Sequence, residues 1–136
     1  MLCSLMKKFF FVLLLTVSAF TAFSQVKITA SEATKHVGDS VEISDQVYGG
    51  KLLNNGMTLL NLGGDFPDHL LTAVIKAEDR SKFKGKPEED LVGKKVRING
   101  KIEDYKGKPQ VILTDPAQLI VIAEIKTPVP QKDIDN

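Results

Sequence analysis

Two groups of side chains in this 136-residue chain have types and spacings that could do chemistry. The first is basic. Lys76, Arg80, Lys82, Lys84 and Lys86 crowd one polar stretch, Lys94, Lys95, Arg97 and Lys101 follow it, and Lys106 and Lys108 complete the set. Side chains alternate along a strand, so Arg97 and Lys101 share a face. With Lys106 and Lys108 they could line a groove that tracks the phosphates of a polyanion. Tyr48, Phe66, Phe83 and Tyr105 are the aromatic groups able to stack on a base beside it, each stacked base being worth about 1–3 kcal/mol. Glu78, Asp79, Glu88, Glu89, Asp90, Glu103 and Asp104 are interleaved with the lysines. They cancel much of the field, and a solvated, solubilising face is the favoured reading of the basic residues.

The second group is Asp65, Asp68 and His69 around Phe66-Pro67. Two carboxylates and an imidazole could take a divalent cation. The same residues make an ordinary Gly-Asp-x-Pro connection between strands, and that reading is preferred. His36 sits at a turn with nothing nearby to make it a catalytic base. A metal-dependent nuclease would need clustered carboxylates, and arginines aimed at the phosphoryl group. Only Arg80 and Arg97 are available, and no carboxylate pair has evident spacing with them. No nucleophile elbow, phosphate-cradling glycine loop or metal-spaced His/Cys set is present. The residues favour a non-enzymatic binding module with no cofactor, the nuclease being the enzyme alternative.

The elements that must position these groups begin with an export signal. Lys7 and Lys8 form a basic n-region, Phe9 to Ala19 is an almost unbroken apolar run, and Ala22-Phe23-Ser24 sets small residues at the −3 and −1 positions. Residues 1–24 thus read as a signal peptide cleaved near Ser24-Gln25, with Met6 a more ordinary start than Met1. The apolar run is shorter than the roughly 20 residues of a spanning helix, so a cleaved signal is preferred to a retained anchor. Cys3, the only cysteine, leaves with it, and disulfides, thiol chemistry and a lipid anchor at the cleavage site leave too. The expected location is periplasmic or secreted. Losing Lys7 and Lys8 leaves 16 of the 18 basic residues against 17 acidic ones, a net charge of −1. A near-neutral domain lacks the global field of a non-specific nucleic-acid binder, so such a role must rest on a local patch.

Residues 25–125 are of a size for one domain with a modest core, and 126–136, with two prolines and several charges, read as a disordered tail. Thr29 or Ser31 could cap a helical turn in the lead-in. Val41, Ile43 and Val47 alternate with polar residues as a first strand, and Tyr48-Gly49-Gly50 and Asn54-Asn55-Gly56 read as turns. Met57 to Leu62 and Leu70 to Ile75 are the second and third strands. Pro87 to Gly93 is a short helix, with proline at its first position and acids in its first turn. Lys95 to Glu103 is the fourth strand, Val96, Ile98 and Ile102 facing in, with Gly100 marking a bulge or sharp bend. Asp104 to Lys108 is a tight hairpin, Gln110 to Leu113 a fifth strand, and Ala117 to Ile125 a short edge strand. Five strands with a helix between the third and fourth fit a small, mostly β, Greek-key barrel.

Specific runs carry a family likeness. Val92-Gly93-Lys94-Lys95-Val96-Arg97-Ile98-Asn99-Gly100-Lys101-Ile102, then Tyr105-Lys106-Gly107-Lys108-Pro109, then Asp115-Pro116-Ala117-Gln118-Leu119, resemble the closing half of OB-fold domains. His36-Val37-Gly38 and Thr58-Leu59-Leu60-Asn61-Leu62-Gly63 resemble the opening half. The likeness spans roughly Ala33 to Leu119 and is to exported bacterial OB-fold proteins of the tRNA-anticodon-binding type. It implies a five-stranded OB-fold barrel that binds single-stranded nucleic acid on its face and on the loops flanking strands one–two and four–five. Tyr48, Lys51, Thr58, Leu60, Thr72, Phe83, Arg97, Lys101, Tyr105, Lys106 and Lys108 are the candidate ligand-binding residues on that basis. Aromatic residues common on strands two and three of such binders are replaced here by Thr58, Leu60, Asn61, Thr72 and Val74. Because this barrel binds oligosaccharides as well, a glycan, a small cationic ligand or a protein partner is the alternative.

Overall fold

The computed structural model describes residues 24–124. The expected signal up to residue 23 and the expected tail, 126–136, lie outside the described residues. The strands are β1 (Val26–Ile28), β2 (Ser40–Leu52), β3 (Thr58–Leu62), β4 (Leu71–Ile75), β5 (Lys94–Tyr105), β6 (Lys108–Leu113) and β7 (Leu119–Glu124). A 3-10 segment, Ala30–His36, precedes β2, and one α-helix, α1 (Pro87–Asp90), lies between β4 and β5. The order agrees with the sequence pattern, except that β1 is an added strand where only a lead-in was expected.

Five strands close on themselves. β2 pairs antiparallel with β3, and β3 with β4. β4 runs parallel to β6, β6 pairs with β5, and β5 returns to β2. The connection carrying α1 makes the parallel pair possible, since parallel neighbours need a crossover. β1 extends the barrel beside β2, and β7 extends it beside β5. Val41, Ile43, Leu60, Ile98, Ile102 and Leu113 are fully buried inside the ring, the inward half of the period-2 alternation.

The Tyr48-Gly49-Gly50 turn does not exist. β2 runs through it, pairing with β5 over residues 40–46 and with β3 from Val47 onward, with a register shift between Val47 and Gly49. The glycines serve close approach. A Cβ on Gly50 would overlap the backbone of Glu88 in α1, and one on Gly49 would lie 2.5 Å from Asp65 Oδ1. Gly100 makes no bulge against β2. β5 pairs with β2 in unbroken register through Lys101 and with β6 from Ile102, and a Cβ on Gly100 would lie 2.5 Å from Val111 Cγ2.

Local caps hold the connections. Thr29 caps the 3-10 segment, its N–H donating to Glu32 Oε2 at 2.9 Å, and Ala30 N donates to Asp45 Oδ2 at 2.9 Å. Ala30 and Ala33 are thereby buried against the barrel. Pro87 stands at the start of α1, and Gly93 N donates to Val47 O at 2.8 Å as the chain re-enters β5.

Candidate nucleic-acid interface

The outer face of β3, β4 and β6 carries two rows of side chains. Register aligns Asn61, Thr72 and Gln110, ending on Gly49 of β2 and Glu103 of β5. The next row is Leu59, Val74 and Ile112, beginning at Lys51 of β2. Thr72 and Lys51 of the expected set lie here. Thr58 and Leu60 do not, both having no exposed surface. A one-residue error of phase turns every side chain of a strand to the opposite face, so the outward residues of β3 are Leu59 and Asn61. Asn61 was the available signal: the one polar residue within Leu59-Leu60-Asn61-Leu62 sends Leu60 and Leu62 inward. Gln110 and Ile112 were missed because only the parallel β4–β6 pairing brings them beside Thr72 and Val74.

That parallel pairing also sets the starts of β4 and β6 at the same end of the barrel. Loop 63–70 therefore sits beside the hairpin made by Lys106 (φ 51°) and Gly107 (φ 83°). Lys108 Nζ ties the two together, donating to Pro67 O at 3.2 Å. Phe66 is 74% exposed and stacks on the His69 ring with centroids 5.9 Å apart. Tyr105, 56% exposed, faces Lys108 across the hairpin and carries the Lys106 ammonium 5.4 Å from its ring centroid. Tyr48 is also exposed, next to Val47, which pairs with Leu62 just before the loop. Phe66, Tyr105, Lys106 and Lys108 thus gather at one mouth of the barrel.

His69 is held below the usual imidazole pKa, chiefly by burial and then by Lys108, while Asp65 and Asp68 pull the other way. Asp65 Oδ1 accepts a 2.8 Å hydrogen bond from Phe66 N, the loop role expected of it. Among the described residues, no group of three or more His, Cys, Asp and Glu side chains is placed to hold a metal ion.

The rest of the basic set goes elsewhere. Arg97 lies in the layer of β1, β2, β5 and β7, between Ser44 and Ile120, with Nε 3.3 Å from Glu42 Oε1. Lys101 is exposed on the same strand opposite Ser40. The groove expected from Arg97, Lys101 and the hairpin lysines is not assembled, because β5 changes partners between them. Phe83 is packed into the core, leaving no ring face for a ligand. Arg80 makes bonds of 2.7 and 3.0 Å to the Glu88 carboxylate, and Lys82 donates to Asp79 at 2.7 Å, which raises its pKa. Those cations brace the β4–β5 connection.

No protein-family model matches this chain, and no curated protein does. Among solved structures it is similar to asparaginyl-tRNA synthetase from Pyrococcus horikoshii. The complex with asparaginyl-adenylate gives a TM-score of 0.50 at 16% identity, covering 78% of this chain and 24% of that one. A second structure of the same enzyme gives 0.50 at 17%, covering 78% and 25%. The domain is an OB fold. It spans about a quarter of those synthetase chains. In this fold the second and third strands and the loops after the first and fourth form the ligand surface. Here these are β3, β4, residues 53–57 and the Lys106-Gly107 hairpin, so the exposed rings sit at one end of the usual surface.

Proposed function

We propose that this OB-fold domain is a binding module for single-stranded nucleic acid that works outside the cytoplasm. The observation that carries the reading is the mouth of the barrel, where the rings of Phe66 and Tyr105 stand exposed with Lys106 and Lys108 between loop and hairpin. Exposed π-faces beside ammonium groups are what stacked bases and a phosphate backbone require. The Asn61-Thr72-Gln110 row adds amide and hydroxyl groups that can meet base or sugar edges. Likeness to synthetases that handle tRNA supports the same ligand class. For export, the support is the n-region, apolar run and small residues of 1–24, with β1 opening at Val26, close behind the expected cleavage bond.

An oligosaccharide is the second reading. Both arginines are engaged by glutamates, Arg80 by Glu88 and Arg97 by Glu42, which leaves the face without the bidentate guanidinium so often used on phosphate, while aromatic rings serve sugars equally well. Fluorescence titration with a labelled oligothymidylate separates the two. Binding that weakens steeply with added salt supports the nucleic-acid reading. No binding at low salt, or binding to glycans that ignores salt, overturns it.

A further inference from the structure

We infer that His69 takes up a proton when an oligonucleotide binds, so that binding at the barrel mouth tightens as the surroundings become mildly acidic. The inference rests on the nucleic-acid reading of that mouth. His69 is stacked on Phe66, the most exposed ring there, at 5.9 Å and an interplanar angle of 22°. A base that stacks on Phe66 therefore brings its phosphates close to the imidazole. The ring's Nδ1 is enclosed and has no hydrogen-bond partner among the described residues. The charged groups that face it are Lys108 from β6 and Asp65 and Asp68 from its own loop. Lys108, fixed on Pro67 O, opposes a second positive charge beside it, and burial adds to that opposition.

In the free protein the balance keeps His69 neutral near pH 7. An arriving phosphate screens Lys108 and pairs with an imidazolium, so the bound state favours the protonated ring. By linkage, a group whose pKa is higher in the complex makes affinity rise as pH falls through the interval between its free and bound values. One proton limits the dependence to about tenfold per pH unit, and a bound-state rise of about one unit gives at most about tenfold in all, of which about fivefold falls between pH 7.5 and 5.5.

Oligothymidylate is the probe, because its bases do not titrate in that range. Affinity is measured at constant salt from pH 7.5 to 5.5 for the protein, for His69→Gln and for His36→Gln, which removes the other histidine, near Asp39. The expected result is a rise of about fivefold that His36→Gln keeps and His69→Gln abolishes. The His69 ring proton resonances, titrated with and without oligonucleotide, give the same answer without a substitution: the midpoint moves up on binding. Binding with an unmoved midpoint, or with a pH dependence that survives His69→Gln, overturns the inference and leaves the nucleic-acid reading intact. Failure to bind at every pH overturns both.

Discussion

Arg80 and Glu88 are side chains 19% and 9% exposed, joined by bonds of 2.7 and 3.0 Å, and Arg80 Nη1 also donates to Gly85 O at 3.2 Å. Arg80→Met keeps the apolar stem and removes the guanidinium. It leaves an enclosed carboxylate for which no other donor is seen among the described residues. Breaking a buried pair from one side costs about 3–5 kcal/mol. Arg80 keeps some solvent access, which sets the expectation at the lower end, about 3 kcal/mol. For a domain near 100 residues, this lowers Tm by about 12–24 °C. Arg80→Met with Glu88→Leu should recover most of the loss, because an apolar pair of similar volume often replaces an ion pair without cost. Urea unfolding monitored by far-UV circular dichroism gives each free energy. A cost below about 1 kcal/mol for Arg80→Met, or a double variant no more stable than the single, would show that the ion pair does not brace this connection. At temperatures where Arg80→Met is folded, its affinity for oligothymidylate should match that of the parent. A clear drop would return Arg80 to the ligand surface.

Gly50→Ala should destabilise by about 1–3 kcal/mol, since the new Cβ must push α1 off β2; thermal melts measure it. Leu60→Ala should cost about 2–5 kcal/mol of stability without changing the affinity of the folded protein. Asn61→Ala should do the reverse, losing affinity with little change in Tm, and paired melts and titrations test the strand phase. Phe66→Ala and Tyr105→Ala should each weaken oligothymidylate binding by about 1–3 kcal/mol. In salt titrations, Lys108→Ala should lower the logarithmic slope by about 0.7 while Arg97→Ala leaves it unchanged.

Much of the barrel was legible because strands with one buried face announce themselves by alternation. Val96, Ile98 and Ile102 are inward as their spacing required, and the Lys106-Gly107 hairpin falls where the turn residues stand. Where the fold departs from the local pattern, contacts distant in sequence are the cause. Gly49 and Gly50 read as a turn because glycine permits one, yet their function is to let Asp65 and α1 approach, contacts distant in sequence. Thr58 and Leu60 read as outward because Thr58-Leu59-Leu60-Asn61-Leu62 carries too few polar residues to show its phase without weighting Asn61. Phe83 looked like a surface aromatic amid lysines, but its neighbours Arg80 and Lys82 are turned to Glu88 and Asp79, and the ring itself goes to the core.

By itself the sequence determined the element order, the inward residues of β5, the hairpin, the place of α1, and the near-neutral charge that any export would leave. Those are properties of local periodicity, backbone preference and composition, all carried within a few residues or summed over the chain. Tertiary structure alone decided which cations face which carboxylates, and that β4 lies parallel to β6. That pairing sets Phe66 and His69 beside Tyr105, Lys106 and Lys108, residues some forty apart in sequence. A binding surface of this kind is made by closing the ring, and ring closure is a non-local event that no window of sequence contains.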